Sequence, residues 1–165
     1  LRSDFVRGEC FDFLRPHGFA TPSAALDVFV QEKNLDVLRH RDPLTAMRAL
    51  NDALYAAFDY APGVTTADSP IDLALGVGRG VCQDFAHIMI AGLRGLGIPA
   101  SYVSGYLRTE PAPGMPRLVG ADAMHAWVAV WCGAGVGWRG LDPTNGVATA
   151  LDQGSEHPGF DGRGP

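Results

Sequence analysis

Gly80-Val81-Cys82-Gln83-Asp84-Phe85-Ala86-His87 is the stretch that decides how this chain folds. A turn rich in glycine, with Gly76, Gly78 and Gly80, gives way here to an apolar helix whose Phe85, Met89, Leu93 and Leu96 share one face. Gly97 suits the end of that helix and Pro99 bars its continuation. Cys82 therefore stands at a helix start. The first N–H groups of a helix lack intrahelical partners and the dipole is positive there, and both favour a thiolate over a thiol. The competing reading is a buried structural cysteine, since free cysteine is among the most buried residue types. The glycines and the helix onset weigh against it, because they let backbone N–H groups approach a substrate oxygen. The N–H of Cys82 is one candidate oxyanion donor. The Gln83 side chain is a second candidate, with a solvated surface amide as its alternative.

Upstream, Asp42-Pro43 is a strong helix start, followed by Leu44, Met47, Leu50, Leu54 and Phe58 at helical spacing, which predicts a helix from about 43 to 59. Thr21-Pro22 predicts an earlier start, with Thr21 as N-cap and residues 24–38 helical. Ser69-Pro70-Ile71-Asp72 resembles a capping box that opens a short helix of about two turns. Downstream the period changes. Residues 100–107 and 124–131 read as strands, residues 132–137 as a hairpin connection, and residues 138–141 as the start of a third strand. Residues 109–122 form a long connection rich in Pro and Gly, of a length common in binding loops. Helices followed by consecutive antiparallel strands predict an α+β domain, with N-terminal helices packed on an antiparallel sheet. The pattern places that domain at residues 21–147. Residues 1–20 form a poorly patterned N-terminal segment and residues 148–165 a mobile tail.

A chain of 165 residues, 47% apolar and 19% charged, has the size and balance of one globular domain with a real core. Net charge is −5 and the basic residues are scattered, which argues against nucleic-acid binding. No apolar run reaches roughly 18 residues, so no membrane span is expected. Cys10, Cys82 and Cys132 contain no C-x-x-C pair, so zinc and dithiol chemistry have little support. A Cys10–Cys132 disulfide is one option; a reducing, cytoplasmic setting is favoured over it. The absence of an initial Met fits a processed product or an excised domain. No D-x-D-x-D-G loop occurs, and nothing implies a metal or a cofactor.

A thiolate needs a base and a group to orient that base. His125 lies in the strand at 124–131, and Asp142 ends the next strand, before Pro143. Each has a bland reading, a hydrogen-bonded core histidine and a turn aspartate. Through the hairpin at 132–137 the two can be cross-strand neighbours, and Asp142 would then hold the imidazole tautomer. Strand alternation puts Met124, Ala126, Val128 and Val130 on one face, and His125, Trp127, Ala129 and Trp131 on the other. Trp127, which shares the face of His125, is a core or cleft-wall residue. His87 is the rival base. Five residues along a helix turn it about 500°, or about 140° away from Cys82, so it is read as structural. Asp84 points away from Cys82 and is read as compensating the helix dipole.

The blocks Gly-Val-Cys-Gln-Asp-Phe-Ala-His at 80–87, Gly-Ile-Pro-Ala at 97–100, Tyr-Val-Ser-Gly-Tyr at 102–106, His-Ala-Trp-Val at 125–128 and Asp-Pro-Thr-Asn-Gly at 142–146 together resemble the bacterial transglutaminase-like superfamily. The resemblance runs from about residue 20 to 147. It implies a papain-like α+β core with Cys82 as nucleophile, His125 as general base and acid, and Asp142 orienting the histidine. Trp127 and Tyr106, inside these blocks, are the candidate cleft-wall residues. The implied reaction is cysteine-dependent hydrolysis of an amide or peptide bond through a thioester, on a peptide or protein substrate. Transfer of the acyl group to an amine is the alternative, and a catalytically weak binding domain that kept the fold is a third reading. Relatives of this kind carry an N-terminal β-domain and, after Asp-Pro-Thr-Asn-Gly, a histidine-bearing strand and one more. Residues 147–165 do not match that pattern, which predicts a sheet short of its outer strands.

Overall fold

The computed structural model describes residues 10–16, 18–106, 119 and 124–149. Among the described residues four α-helices precede most of the sheet: α1 (Ala24–Glu32), α2 (Pro43–Ala57), α3 (Ile71–Val77) and α4 (Cys82–Gly95). Short 3-10 helices occupy Asp12–Leu14 and Asp36–His40. The two-residue strands β1 (Asp59–Tyr60) and β2 (Arg79–Gly80) pair in parallel. Strands β3 (Ala100–Tyr106), β4 (Met124–Trp131), β5 (Trp138–Asp142) and β6 (Val147–Thr149) form an antiparallel sheet in sequence order. This is the α+β architecture that the change of hydrophobic period predicts.

The core forms where the helical stripes meet one face of the sheet. Met47, Leu50 and Leu54 of α2, Ile88, Met89 and Leu93 of α4, and Ala126, Val128 and Val130 of β4 are all buried in one cluster. Gly92 lets α2 and α4 approach closely, since a β-carbon there would stand 3.0 Å from a Leu50 methyl. The alternation along β4 is therefore as expected, with Ala126, Val128 and Val130 turned to the helices. The three cysteines are free thiols, and Cys132 lies 3.6 Å from the Met47 sulfur in the core. No Cys10–Cys132 disulfide forms. No helix among the described residues is long and apolar enough to cross a membrane.

Several local expectations are corrected. Helix α1 is capped by Ser23, whose side chain accepts from the Leu26 N–H, not by Thr21. It stops at Glu32, because Asn34 turns the chain at a positive φ of 53° and the run to His40 continues as a 3-10 helix. Ser69 does not cap α3; its hydroxyl accepts from the Thr66 N–H, and Pro70 takes the cap position. The Asp42 cap of α2 is as read, at 2.9 Å from the Thr45 N–H. The chain also keeps its order past Asn145-Gly146. Strand β6 pairs with β5, setting Asp142 against Val147, so the sheet gains an outer strand where the sequence pattern fades. The residues after Thr149, and the connection at 109–122 apart from Val119, lie outside the described residues.

Candidate active site

The β1–β2 ladder delivers the chain to the head of α4. Tyr60 pairs with Gly80, and the Ala61 N–H donates to the Gly80 carbonyl at 2.8 Å. Two residues on, Cys82 is the first residue of α4, half-buried, with its sulfur against the core edge. Its N–H belongs to the helical donors that have no partner within the helix. The Val81 N–H is taken, because Asp84 Oδ2 accepts it at 2.8 Å.

Asp84 thus does more than compensate the helix dipole. It is buried, it accepts from the Thr65 hydroxyl as well as from Val81, and it locks the turn that presents Cys82. This explains Gly80, where a β-carbon would stand 2.7 Å from Asp84 Oδ2. The sequence signal was available: an acidic residue at the third helical position is where a side chain reaches back to the N-cap backbone.

His125 and Asp142 come from adjacent strands. Val128 pairs with Leu141, so continuing that register by one step sets Trp127 across from Asp142 and His125 on the diagonal. The diagonal is closed by a bond of 2.8 Å between His125 Nε2 and Asp142 Oδ2, with both side chains fully shielded from solvent. Asp142 Oδ1 accepts from the backbone N–H groups of Thr144 at 3.0 Å and Asn145 at 3.3 Å, and Oδ2 accepts also from Asn145 Nδ2 at 2.6 Å. A carboxylate surrounded by four donors is held in a fixed orientation. It requires Nε2 of the imidazole to carry a proton, which leaves Nδ1 as the basic nitrogen. Nδ1 is buried and makes no hydrogen bond of regular geometry among the described residues.

Burial works to lower the His125 pKa. The Asp142 hydrogen bond, and after it the Cys82 sulfur, outweigh burial and raise the group to about 9. Cys82 is therefore close enough to the ring to act on it. Because the folded value lies above the unfolded value of 6.5, the resulting stabilisation is complete below about pH 6.5 and is lost as pH rises through about 9. Urea denaturation across that window should show stability falling by up to about 3 kcal/mol. A flat profile would contradict the buried ion pair.

Trp127 lies nearly parallel to the His125 ring, 6.4 Å between centroids, and is 8% exposed. Its far edge leans on Gly105, where a β-carbon would meet the indole at 2.9 Å. Gly105 pairs with His125 in the ladder, so a glycine opposite the histidine makes room for the tryptophan that covers it. The other sequence candidates sit differently. Gln83 donates its side-chain amide to the Ala67 carbonyl at 2.8 Å, which commits one of its two N–H groups to the loop before α3. Tyr106, opposite Met124 at the end of β3, is 77% exposed and stands at the rim rather than in the wall.

Three residues at the site escaped the sequence reading. Tyr60 and Tyr102 have raised pKa values, each first from burial and then from the charge of Cys82. Tyr102 also stacks on His87 at 5.1 Å, and Phe19 stacks on the same ring at 5.5 Å. That stack holds His87 between two aromatic rings, and burial lowers its pKa. Asn145 is the third, and its bond to Asp142 Oδ2 was hidden because it needs the turn after β5 to fold back on itself. Among the described residues no cluster of His, Cys, Asp and Glu could hold a metal ion.

With this geometry in place, the comparisons with known proteins can be read. A model of the transglutaminase-like superfamily matches residues 35–143, which contain Cys82, His125 and Asp142. An uncharacterized protein of Mycobacterium tuberculosis is 46% identical over 111 residues, covering 66% of this chain and 35% of that protein. The chain thus spans about a third of the length of the curated relatives it matches first. A protein-glutamine gamma-glutamyltransferase of Pseudomonas aeruginosa is 38% identical over 102 residues, covering 61% of this chain and 15% of that protein. The solved structure of a candidate cysteine protease from Cytophaga hutchinsonii superposes with a TM-score of 0.65 at 25% identity, over 85% of this chain and 43% of that one. The order of elements, the helix that begins at Cys82 and the match over most of the ordered chain lead to one assignment: this chain belongs to the transglutaminase-like superfamily.

Proposed function

We propose that the chain carries a cysteine-dependent amide hydrolase site, with Cys82 as nucleophile, His125 as general base and acid, and Asp142 as the group that orients the imidazole. The observation that supports this reading is the fully buried His125–Asp142 bond, which engages Nε2 and leaves Nδ1 as the nitrogen available to a thiol. In the first half-reaction the thiolate attacks a carbonyl carbon. The oxygen takes the negative charge and faces the Cys82 N–H. The imidazolium then gives its Nδ1 proton to the departing amine, and a thioester remains. In the second half-reaction His125 removes a proton from water, the hydroxide adds to the thioester, and the acid and the thiol are released.

Transamidation uses the same thioester with an amine in place of water. The Pseudomonas aeruginosa relative supports this second reading. The Cytophaga hutchinsonii structure supports the first. The two part at one step, so a product assay separates them. The chain is incubated with a glutamine-containing peptide, with and without a fluorescent primary amine. Hydrolysis predicts free acid and ammonia with no incorporated amine. Substantial amine incorporation contradicts the hydrolytic reading and selects transfer. No product and no thioester adduct by mass spectrometry contradicts both, and matches a binding domain that kept the fold.

A further inference from the structure

Asn145 makes more contacts than a turn residue needs. Its Nδ2 donates to Asp142 Oδ2 at 2.6 Å and to the Val119 carbonyl at 3.2 Å, while its Oδ1 accepts from the Val119 N–H at 2.8 Å. The amide thereby pairs with both backbone groups of Val119, as a neighbouring strand would, and spends its remaining N–H on the carboxylate. All its strong hydrogen-bonding positions are engaged. Val119 belongs to the connection between β3 and β4, 26 positions away in sequence. Val119 precedes His125 by six positions.

The Asp142 oxygen involved is the one that faces His125. Oδ1 is fastened to the turn by the Thr144 and Asn145 N–H groups, which still leaves the carboxylate free to rock about that end. The direction of Oδ2 toward His125 Nε2 is set from the opposite side by the Asn145 amide. We propose that Asn145 is a positioning residue that aims Asp142 at His125 and couples that aim to the backbone at Val119. The coupling rests on the catalytic reading only for its consequence. If His125 is the base, then a peptide that contacts the β3–β4 connection can tune the base through Val119, Asn145 and Asp142.

The titratable groups that act on His125 are Asp142 from β5 and Cys82 from α4. Loss of the Asn145 amide opens space beside Oδ2, lets water compete for it and weakens its bond to Nε2. Burial then acts on the imidazole with less opposition, and its pKa falls.

The test uses the full chain with isotope-labelled histidine and follows the His125 ring by NMR as pH is raised. Asn145→Ala should lower the His125 midpoint by about one unit, the low end of what an opposing charge contributes at this range. Val119→Pro removes the N–H that Asn145 Oδ1 accepts and fixes φ at that position. It leaves Asp142 and the Asn145 side chain intact, and should give a smaller shift in the same direction. It also keeps the proposal testable if the alanine variant fails to fold. A midpoint that is unmoved or raised in folded Asn145→Ala overturns the positioning role, and an unmoved midpoint in folded Val119→Pro overturns the coupling. The readout needs no substrate. A chain that shows both shifts but no turnover dependent on Cys82 would sink the hydrolase reading and leave the linkage standing; Cys82-dependent turnover with unmoved midpoints would do the reverse.

Discussion

Asp142→Asn should lower kcat/KM for amide hydrolysis by about 10³–10⁴, the scale found when the orienting carboxylate of a nucleophilic triad becomes an amide. The structure gives a specific reason. Both oxygens of Asp142 are acceptors, Oδ1 for two backbone N–H groups and Oδ2 for His125 Nε2 and Asn145 Nδ2. An amide has one oxygen. With its NH2 at the Oδ2 position, it donates to Nε2, drives the imidazole proton to Nδ1 and removes the lone pair that would take the thiol proton. With its NH2 at the Oδ1 position, two backbone donors face two more donors in a site closed to water. Either way a buried donor is left unpaired, which should cost about 1–3 kcal/mol of stability as well. Steady-state kinetics and chemical denaturation read the two effects separately. A variant within threefold of wild type in kcat/KM would show that the carboxylate has no part in the reaction.

Cys82→Ala should have the largest effect, a fall in turnover by about 10⁴ or more, to the level left by binding and backbone donors alone. Only a sulfur is removed, from a half-buried position at the edge of the core, so the fold should survive. The thioester adduct should vanish from the mass spectrum of a quenched reaction. Because Cys82 is one of the two groups that raise the His125 pKa, the histidine should also titrate lower in this variant. Retention of more than a tenth of wild-type turnover would show that another group is the nucleophile.

How much of this was legible in the letters depends on the range of the interaction that fixes each residue. Helix α2, with its Asp42 cap and its stripe from Met47 to Leu54, is specified by neighbours three and four residues apart, and its boundaries are close to those predicted. The order Cys82, His125, Asp142 was readable because each lies on its own element and the β4–β5 hairpin is short. Strand β6 was not, since three residues without alternation become a strand only when β5 offers an edge. The parallel pairing of Tyr60 with Gly80 was equally hidden, because two residues carry no periodicity. The reading of Asp84 was incomplete for a different reason. Helix geometry gives where a side chain points, but not that Thr65, 19 positions earlier, returns to bury it. Asn145 needed two such long-range facts at once.

On the proposed reading a sulfur, an imidazole and a carboxylate act together, and the most direct test is the pH dependence of Cys82 alkylation in wild type and His125→Ala. Iodoacetamide labelling is quantified at each cysteine by mass spectrometry from pH 5 to 9. Cys10 and Cys132 are buried, so faster labelling of Cys82 alone would reflect exposure. The histidine variant removes the base and cannot reduce access to the sulfur, so slower labelling in it isolates the chemistry. The account predicts faster labelling of Cys82 in wild type than in His125→Ala at acidic and neutral pH, with the two rates converging as pH rises. Superimposable profiles in the two proteins would mean that His125 does not activate Cys82, and would contradict the account at its centre.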